Sequence, residues 1–471
     1  MQVQFYNIIN DELRSAEKTH QVTDPRTEEP LWACPMATNQ DFDDAVTAAR
    51  NAFATWSLTT VPERQALLVK LAENLEEHRP ELTEILQKET GKSAIVAGID
   101  LQASIHQCLL YSKIGLEDEV QTEDENTRVV ATHVPLGVVG AICPWNFPLI
   151  LSNIKVVSSI VTGNCVIVKP SPFTPYAVMK WIELARGILP PGVLQVVNGG
   201  AELGALMTLH PGIDKITFTG TIATGKRVMA SCSKTLKKVT LELAGNDACI
   251  VCPDADLDKA IPSIASGGFF NAGQVCVASK RIYVHERIYD EFLDRLVAEV
   301  ERSYTVQEDG NTPSAFGPLS NKAQYDIIKD IIEDCRKSGY KIVTGGQALA
   351  DKKGFWVPPT IVSKPAEDSW LVKEEQFGPV LPILAYSDED DVIKRANLSN
   401  AGLGASVYSK DLANAERIAR RLEAGSVWIN VSERPNPGAF FGGMKDSGYG
   451  GEMGKQGLLS YCYTKSLHFA K

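Results

Sequence analysis

The sequence predicts an α/β protein made of two consecutive layered regions and a small additional β sheet. Three patterns carry that prediction. Short β-branched runs alternate with helical segments from about 136 to 247, a second alternation follows from about 248 to 446, and two β-prone stretches, 126–135 and 461–469, stand outside both.

The elements follow in chain order. Residues 39–112 read as helical: Phe42, Val46, Ala49, Phe53 and Trp56 recur at alternating steps of four and three, and Leu68, Leu71 and Leu75 repeat the pattern, placing one apolar stripe against a core. From 136 onward, strand candidates fall at 138–143, 165–168, 193–197, 215–219 and 239–243, with helix candidates at 175–189 and 223–231 between them. Strands joined through helices pair in parallel, so this stretch is a parallel layer. The second region offers helices at 289–303 and 322–338 and strands at 405–408 and 426–430. The stretches 126–135 and 461–469 have no helix of their own and suit a small sheet that pairs with another subunit's edge.

Composition narrows the function classes. At 471 residues the chain exceeds one ordinary core, and 44% hydrophobic with 22% charged residues is the balance of a globular protein. Fifty-eight acidic against 47 basic residues give a net charge of −11, which repels a phosphate backbone and an anionic lipid surface. Neither nucleic acid nor a membrane is expected as a partner. Ten cysteines without regular spacing read as reduced thiols, and with no import pattern at the start the expected compartment is cytoplasmic. Cys249 and Cys252 lie in a run, 247–253, that reads as a buried strand. Residues three apart there point to opposite faces, so no metal site is expected.

Chemistry concentrates at a few points. Cys276 sits among small and apolar neighbours in Asn271-Ala272-Gly273-Gln274-Val275-Cys276-Val277-Ala278-Ser279, a thiol suited to add to a carbonyl carbon once deprotonated. Glu242, in Thr240-Leu241-Glu242-Leu243-Ala244-Gly245-Asn246, is a carboxylate in an apolar strand end, where desolvation raises its pKa toward that of a useful base. Pro144-Trp145-Asn146-Phe147-Pro148 follows a strand at its carboxyl end, where open α/β sheets bind ligands, and the Asn146 amide is placed to donate to an oxyanion. Lys169, at the end of the next strand, brings an ammonium to the same edge. In the run from Phe218 to Gly225 a strand, a glycine turn and a helix start succeed one another, so that backbone N–H groups face an anion. Glu375 stands in Glu374-Glu375-Gln376-Phe377-Gly378-Pro379. The glycine-rich run from Gly448 to Gly454 follows no strand candidate and is not read as a phosphate cradle.

Together these motifs resemble the aldehyde dehydrogenase superfamily, in order and over essentially the whole chain from Pro144 to Lys465. Phe441-Gly442-Gly443-Met444-Lys445-Asp446-Ser447-Gly448 matches the family's closing pattern. The resemblance implies a Rossmann-like NAD(P)-binding domain (1–116 and 136–247), an α/β catalytic domain (248–446) and a small β oligomerisation bridge (117–135 and 447–471), in a homodimer or homotetramer. It further implies that Cys276 attacks an aldehyde, that Asn146 and the Cys276 N–H hold the oxyanion, that hydride passes to NAD(P)+ and that Glu242 activates water to release the acid. Lys155 matches a family lysine behind the site, expected to support Asn146 and Glu242. Carried over by position, the cofactor contacts are Pro144, Trp145, Asn146, Lys169, Gly200, Gly204, Gly220, Thr221, Gly225, Leu243, Glu375 and Phe377. The substrate tunnel is Phe147, Leu151, Ile154, Phe270, Val275, Val277 and Phe441.

Three departures from the family pattern bear on detail. Pro172 stands where many NAD-preferring members carry a glutamate for the adenosine ribose, which leaves NADP+ admissible beside NAD+. Ala244-Gly245 replaces a glycine pair, adding a methyl near the swing of Glu242. Ile154 replaces a tryptophan of several relatives, so the apolar tunnel suits a medium aliphatic or aromatic aldehyde and lacks a cage for a quaternary amine. Arg434, near the tunnel mouth, is a candidate grip for a substrate carboxylate. Three alternatives stand beside this reading: a coenzyme A-acylating dehydrogenase, whose relatives generally lack the base that Glu242 supplies; a non-catalytic member, whose mark would be loss of Cys276, Glu242 or Asn146; and a redox-sensing or hydrolytic thiol at Cys276, which predicts no cofactor reduction with any aldehyde.

Overall fold

The computed structural model describes residues 3–304, 306, 315–347, 349, 352–432 and 434–471. Its first large sheet contains the five strand candidates of the first region, found as Val138–Ile142, Cys165–Lys169, Leu194–Val196, Lys215–Thr219 and Lys238–Glu242. All five are parallel, and in space the third, second, first, fourth and fifth lie side by side. That is the doubly wound order, in which the sense of strand succession reverses beside the first strand and leaves a crevice at the carboxyl ends. The reversal falls between Val138–Ile142 and Lys215–Thr219, so Cys143 and Pro144 emerge next to Thr219 and Gly220.

The second sheet has seven strands. Asp247–Val251 is central, flanked by Ser279–His285 and Gly404–Tyr408, with Val380–Tyr386, Thr360–Ser363 and Ser426–Ile429 beyond in parallel and Lys341–Thr344 antiparallel at one edge. Only residues 243–246 join the end of Lys238–Glu242 to the start of Asp247–Val251, so the two sheets meet end to end. Cys249 and Cys252 belong to separate apolar clusters of this second layer, as residues on opposite faces must.

The helical stretch 39–112 resolves into Asn39–Trp56, Val61–Glu77, Arg79–Thr90 and Ala94–Tyr111. Thr38 with Asp41 and Thr60 with Glu63 form reciprocal capping boxes at the first two. Ala94–Tyr111 packs on Pro148–Val161, whose opening proline suits the first helical position. There the buried Asp100 accepts the Ile150 N–H at 2.8 Å and pairs with the buried Lys92 at 2.7 Å. The pair fixes the start of the helix that carries Leu151 and Lys155.

Two expectations are corrected, and one stretch left without elements gains strands. The helix candidate 175–189 ends at Leu184, and the chain turns through Gly187 at φ 77° before Pro190 and Pro191. Residues 1–38, to which the sequence reading assigned no element, supply Asn7–Ile9 and Glu12–Arg14 to the edge of the first sheet and a hairpin of Thr19–Thr23 with Pro30–Pro35. The bridge is smaller at its C-terminal part than 447–471. Gly448–Tyr449 pairs with Lys238–Glu242 instead, and only Cys462–Ala470 joins Thr127–Pro135 and Glu119–Glu123 in the three-stranded sheet. The strand pairings in the last two are long-range, which local periodicity does not carry.

Replacing Asp100 with alanine would leave the Lys92 ammonium buried without a counter-charge and the Ile150 N–H without its acceptor. The expected loss is about 3–5 kcal/mol of folding stability, read from denaturant melts of the full chain.

Candidate active site

The loop before Ser279–His285 is held tightly. Asn271, Ala272 and Gly273 all have positive φ, at 53°, 55° and 72°, a run that L residues enter only when their surroundings impose it. Gln274 imposes it here. Its side chain donates to Asn271 and Pro318 carbonyls at 3.0 and 3.3 Å and accepts the Ser320 N–H at 2.8 Å. The loop therefore presents Cys276, half-buried, at the junction of the two sheets. Eight of the ten cysteines are buried, and all ten are free thiols.

Cys276 Sγ donates to Glu242 Oε1 at 3.3 Å. Strand geometry explains the meeting. Glu242 ends its strand opposite Thr219, and Asp247, five residues on, is registered with Ser279, three residues beyond the thiol. Gly245 in the connecting segment passes so close that a Cβ there would lie 2.7 Å from the Cys276 carbonyl oxygen. Ala244 tolerates its methyl because it lines the open cleft, and Glu242 still reaches the sulfur.

Behind Glu242 lies a buried ionic chain. Thr219 donates to Glu242 Oε2 at 3.2 Å, Lys155 Nζ donates to Thr219 at 2.9 Å and to Glu452 Oε1 at 2.5 Å, and Thr217 donates to the same Glu452 oxygen at 2.8 Å. Lys155 is fully buried. Burial and the nearby Glu452 carboxylate raise the Glu242 pKa above the usual carboxylate range, opposed by the Lys155 ammonium. Burial, then Glu242, drives the Cys276 thiol well above its ordinary value, opposed by Lys280. At rest the sulfur is thus protonated, with a carboxylate in reach to take the proton.

A cleft of about 830 Å³ opens from this point along the carboxyl ends of the first sheet. The helix Ile222–Cys232 points its N-terminus at it, with Thr221 as its cap accepting the Thr224 N–H at 3.4 Å. Lys169 lines it nearly buried. Its ammonium spends two donors on the Pro170 and Gly199 carbonyls, and burial lowers its pKa to about 8. Glu375, Trp145 and Phe377 close the end nearest Cys276, the two rings edge to face at 5.3 Å. These residues fit a dinucleotide: helix-end N–H groups for phosphate, hydroxyls and an ammonium at one end, and a carboxylate for sugar hydroxyls beside the thiol.

Among the expected cofactor contacts, Pro144, Trp145, Asn146, Lys169, Gly200, Gly204, Gly220, Thr221, Leu243, Glu375 and Phe377 line the cleft. Gly225 does not. It lies under Leu243, where a Cβ would come within 2.5 Å of a Leu243 methyl, so its role is to let Leu243 reach the wall. Asn146 lines the cleft but rests on the Gln274 carbonyl at 3.1 Å, not on Lys155, which leaves its second amide hydrogen for another acceptor. Lys155 reaches Glu242 only through Thr219. Of the expected tunnel residues, Leu151 faces the cleft, and Phe147 stacks with Phe270 at a 6.1 Å centroid distance. Val275 is half-buried, packed against the first sheet's core, and Ile154, Val277 and Phe441 are buried within that core. Arg434 is exposed, its carbonyl taken by the Trp428 indole.

Sequence reading missed Glu452, Thr219 and Lys280. Glu452 stands inside the glycine run set aside as no phosphate cradle, yet it is 2% exposed. A lone acid among glycines and apolar residues was the available signal.

Three comparisons bear on the site. The model of the "Aldehyde dehydrogenase family" matches residues 13–467. The chain is 42% identical over 467 residues to the putative aldehyde dehydrogenase FUS7 of Gibberella fujikuroi, covering 99% of each. It superposes on the NAD+ complex of an aldehyde dehydrogenase from Bacillus cereus with a TM-score of 0.94 at 36% identity, covering 99% of this chain and 97% of that one. It also superposes on an NADP-dependent enzyme from E. coli with a TM-score of 0.95 at 32% identity, covering 99% and 98%.

Because the Glu242 carboxylate raises the thiol's pKa, Glu242→Gln should move the pH profile of Cys276 alkylation to lower pH. Peptide-resolved labelling with iodoacetamide across pH 6–11 checks it, and an upward shift would contradict the electrostatic assignment.

Proposed function

The chain belongs to the aldehyde dehydrogenase family, and from that premise we propose that it oxidises an apolar aldehyde to the carboxylic acid through a covalent adduct on Cys276. As a member it is an oxidoreductase that uses NAD(P)+. The observation that carries the reading is the 3.3 Å contact between the Cys276 sulfur and the Glu242 carboxylate at the inner end of the cleft.

In this reading Glu242 takes the thiol proton, and the sulfur bonds to the carbonyl carbon. The C=O electron pair moves to oxygen, which the Asn146 amide and the Cys276 N–H hold. The bound nicotinamide supplies the acceptor for the hydride, the carbon-bound hydrogen with its two electrons. What remains on the chain is a thioester, oxidised by two electrons relative to the aldehyde. Glu242, its proton given up through the polar contacts behind it or to solvent, then draws one from water as the hydroxyl oxygen bonds to the acyl carbon. Collapse expels the Cys276 thiolate and frees the acid. Raised by burial yet checked by Lys155, Glu242 is suited to both proton transfers near neutral pH.

Leu151 at the cleft and the Phe147–Phe270 stack favour a medium aliphatic or aromatic aldehyde. For the cofactor, the far end of the cleft carries Lys169, Ser171, Pro172 and Arg227, and the carboxylates lining the cleft, Glu242 and Glu375, lie at the thiol end. An added 2'-phosphate there meets the cations Lys169 and Arg227, with the exposed Glu202 near Lys169 as the opposing charge, so NADP+ is accepted along with NAD+. Self-association belongs to the same reading: Cys462–Ala470 is an edge strand with most of its residues exposed, an open backbone edge for a second copy.

Two results test this. Cys276→Ala should abolish aldehyde-dependent cofactor reduction, while Glu242→Gln, whose thiol proton must leave to solvent, should give one slowed stoichiometric burst of reduced cofactor and then stall as the thioester, seen by intact-protein mass. Full turnover by Cys276→Ala would end the reading. A panel of aldehydes run with NAD+ and NADP+ side by side should show turnover with both cofactors and preference for apolar substrates; strict rejection of NADP+ would refute the account of the cleft's far end.

A further inference from the structure

We infer that Lys280 is the positioning residue that couples the cofactor-facing carboxylate of Glu375 to the Cys276 loop, orienting the loop's peptides and lending the sulfur a positive charge. The inference rests on the proposed roles of Cys276 and Glu375.

Lys280 lies in Ser279–His285, four residues beyond the thiol, and its side chain is 3% exposed. A lysine in a strand this buried needs partners for its charge. It finds three. Nζ donates to the Cys276 carbonyl at 2.5 Å, to the Val275 carbonyl at 3.0 Å, and pairs with Glu375 Oε1 at 2.9 Å. An ammonium has three donors, so all are committed. Glu375 is anchored on the same oxygen by the Gly245 N–H at 3.2 Å, within the segment joining the two sheets.

Two consequences follow. In a trans peptide the C=O and the next N–H point in opposite directions. Drawing the Val275 carbonyl toward Lys280 turns the Cys276 N–H to the other side, and drawing the Cys276 carbonyl does the same for Val277. The donor assigned to the oxyanion is therefore aimed by a side chain outside the reacting atoms. The second consequence is electrostatic. The charged groups bearing on the sulfur are Glu242 from the first sheet, Asp247 from the central strand of the second, and Lys280. Lys155 and Glu452 stand behind Glu242, and Glu375 beyond Lys280. Lys280 is the cation that opposes the two carboxylates at the thiol, while Lys155 acts on Glu242. Because the same ammonium holds Glu375, a ligand that engages Glu375 changes how strongly Lys280 serves the loop.

The test is Cys276 labelling by iodoacetamide, resolved by peptide mass across pH 6–11, on full-length Lys280→Met, Lys280→Arg and the double variant Lys280→Met/Glu375→Gln, which leaves neither charge alone. Lys280→Met should move the profile to higher pH, with labelling about tenfold slower at pH 8, and should lower kcat more than it changes aldehyde KM. Lys280→Arg should keep the wild-type labelling profile. If Lys280→Met fails to fold, the double variant should show the same upward shift. An unshifted profile in whichever Met variant folds overturns the inference, as does misfolding of both Met variants while Lys280→Arg has lost activity with an unmoved profile, since the lysine is then structural alone. Cys276→Ser separates the two layers of the argument: turnover in that variant sinks the proposed reaction, whereas loss of turnover beside an unshifted Lys280→Met sinks only the role of Lys280.

Discussion

One contact organises the molecule: a thiol on the second sheet's loop donating to a carboxylate at the end of the first sheet's strand. It exists because two parallel sheets meet end to end across four residues, and because Asp247 and Ser279 sit side by side in the second sheet. Neither sheet holds the pair alone. A slip of one residue in the Asp247–Val251 pairing would turn the side chains to the other face and move the loop away from Glu242. The register of that strand is thus a condition of the Cys276–Glu242 contact as well as of the core.

The junction pays for its function with buried charge. Lys155 with Glu452 on one side and Lys280 with Glu375 on the other are two ion pairs largely out of water, each also bonded to neutral groups. Ion pairs of this kind contribute little net stability, since desolvation offsets their attraction. Their value here is a fixed field. Lys155 restrains the rise of Glu242, and Lys280 restrains the rise of Cys276, with the sulfur and the carboxyl group side by side between them. The three left-handed residues ahead of Cys276 belong to the same economy: their strain is tolerated because Gln274 ties the loop at both ends.

Much of this was legible in the sequence, for reasons that differ by element. The parallel strands appear as short β-branched runs because both faces are covered, and the helices of 39–112 show their buried stripe at a step of three or four. Cys276, Glu242 and Asn146 stand out because a reactive or charged residue in an apolar setting is costly and so informative. Gly225 was read as a cofactor contact and lies instead under Leu243, since a missing side chain looks the same whether a ligand or Leu243 fills the space. Ile154 and Phe441 were read as tunnel wall and lie in the core, because apolar character does not tell a wall from a filling.

What the sequence determined by itself was the succession of layers, the family and the candidate polar and thiol groups of the cleft, all properties of short segments whose periodicity or chemistry is local. What only the tertiary structure decided was which charges face which. Lys155 meets Glu452 across 297 residues, and Thr217 meets it across 235. Such partnerships arise from strand order and from the way Gly448–Tyr449 folds back along Lys238–Glu242, and they are set by the packing of distant segments, which leaves no period and no motif in either one.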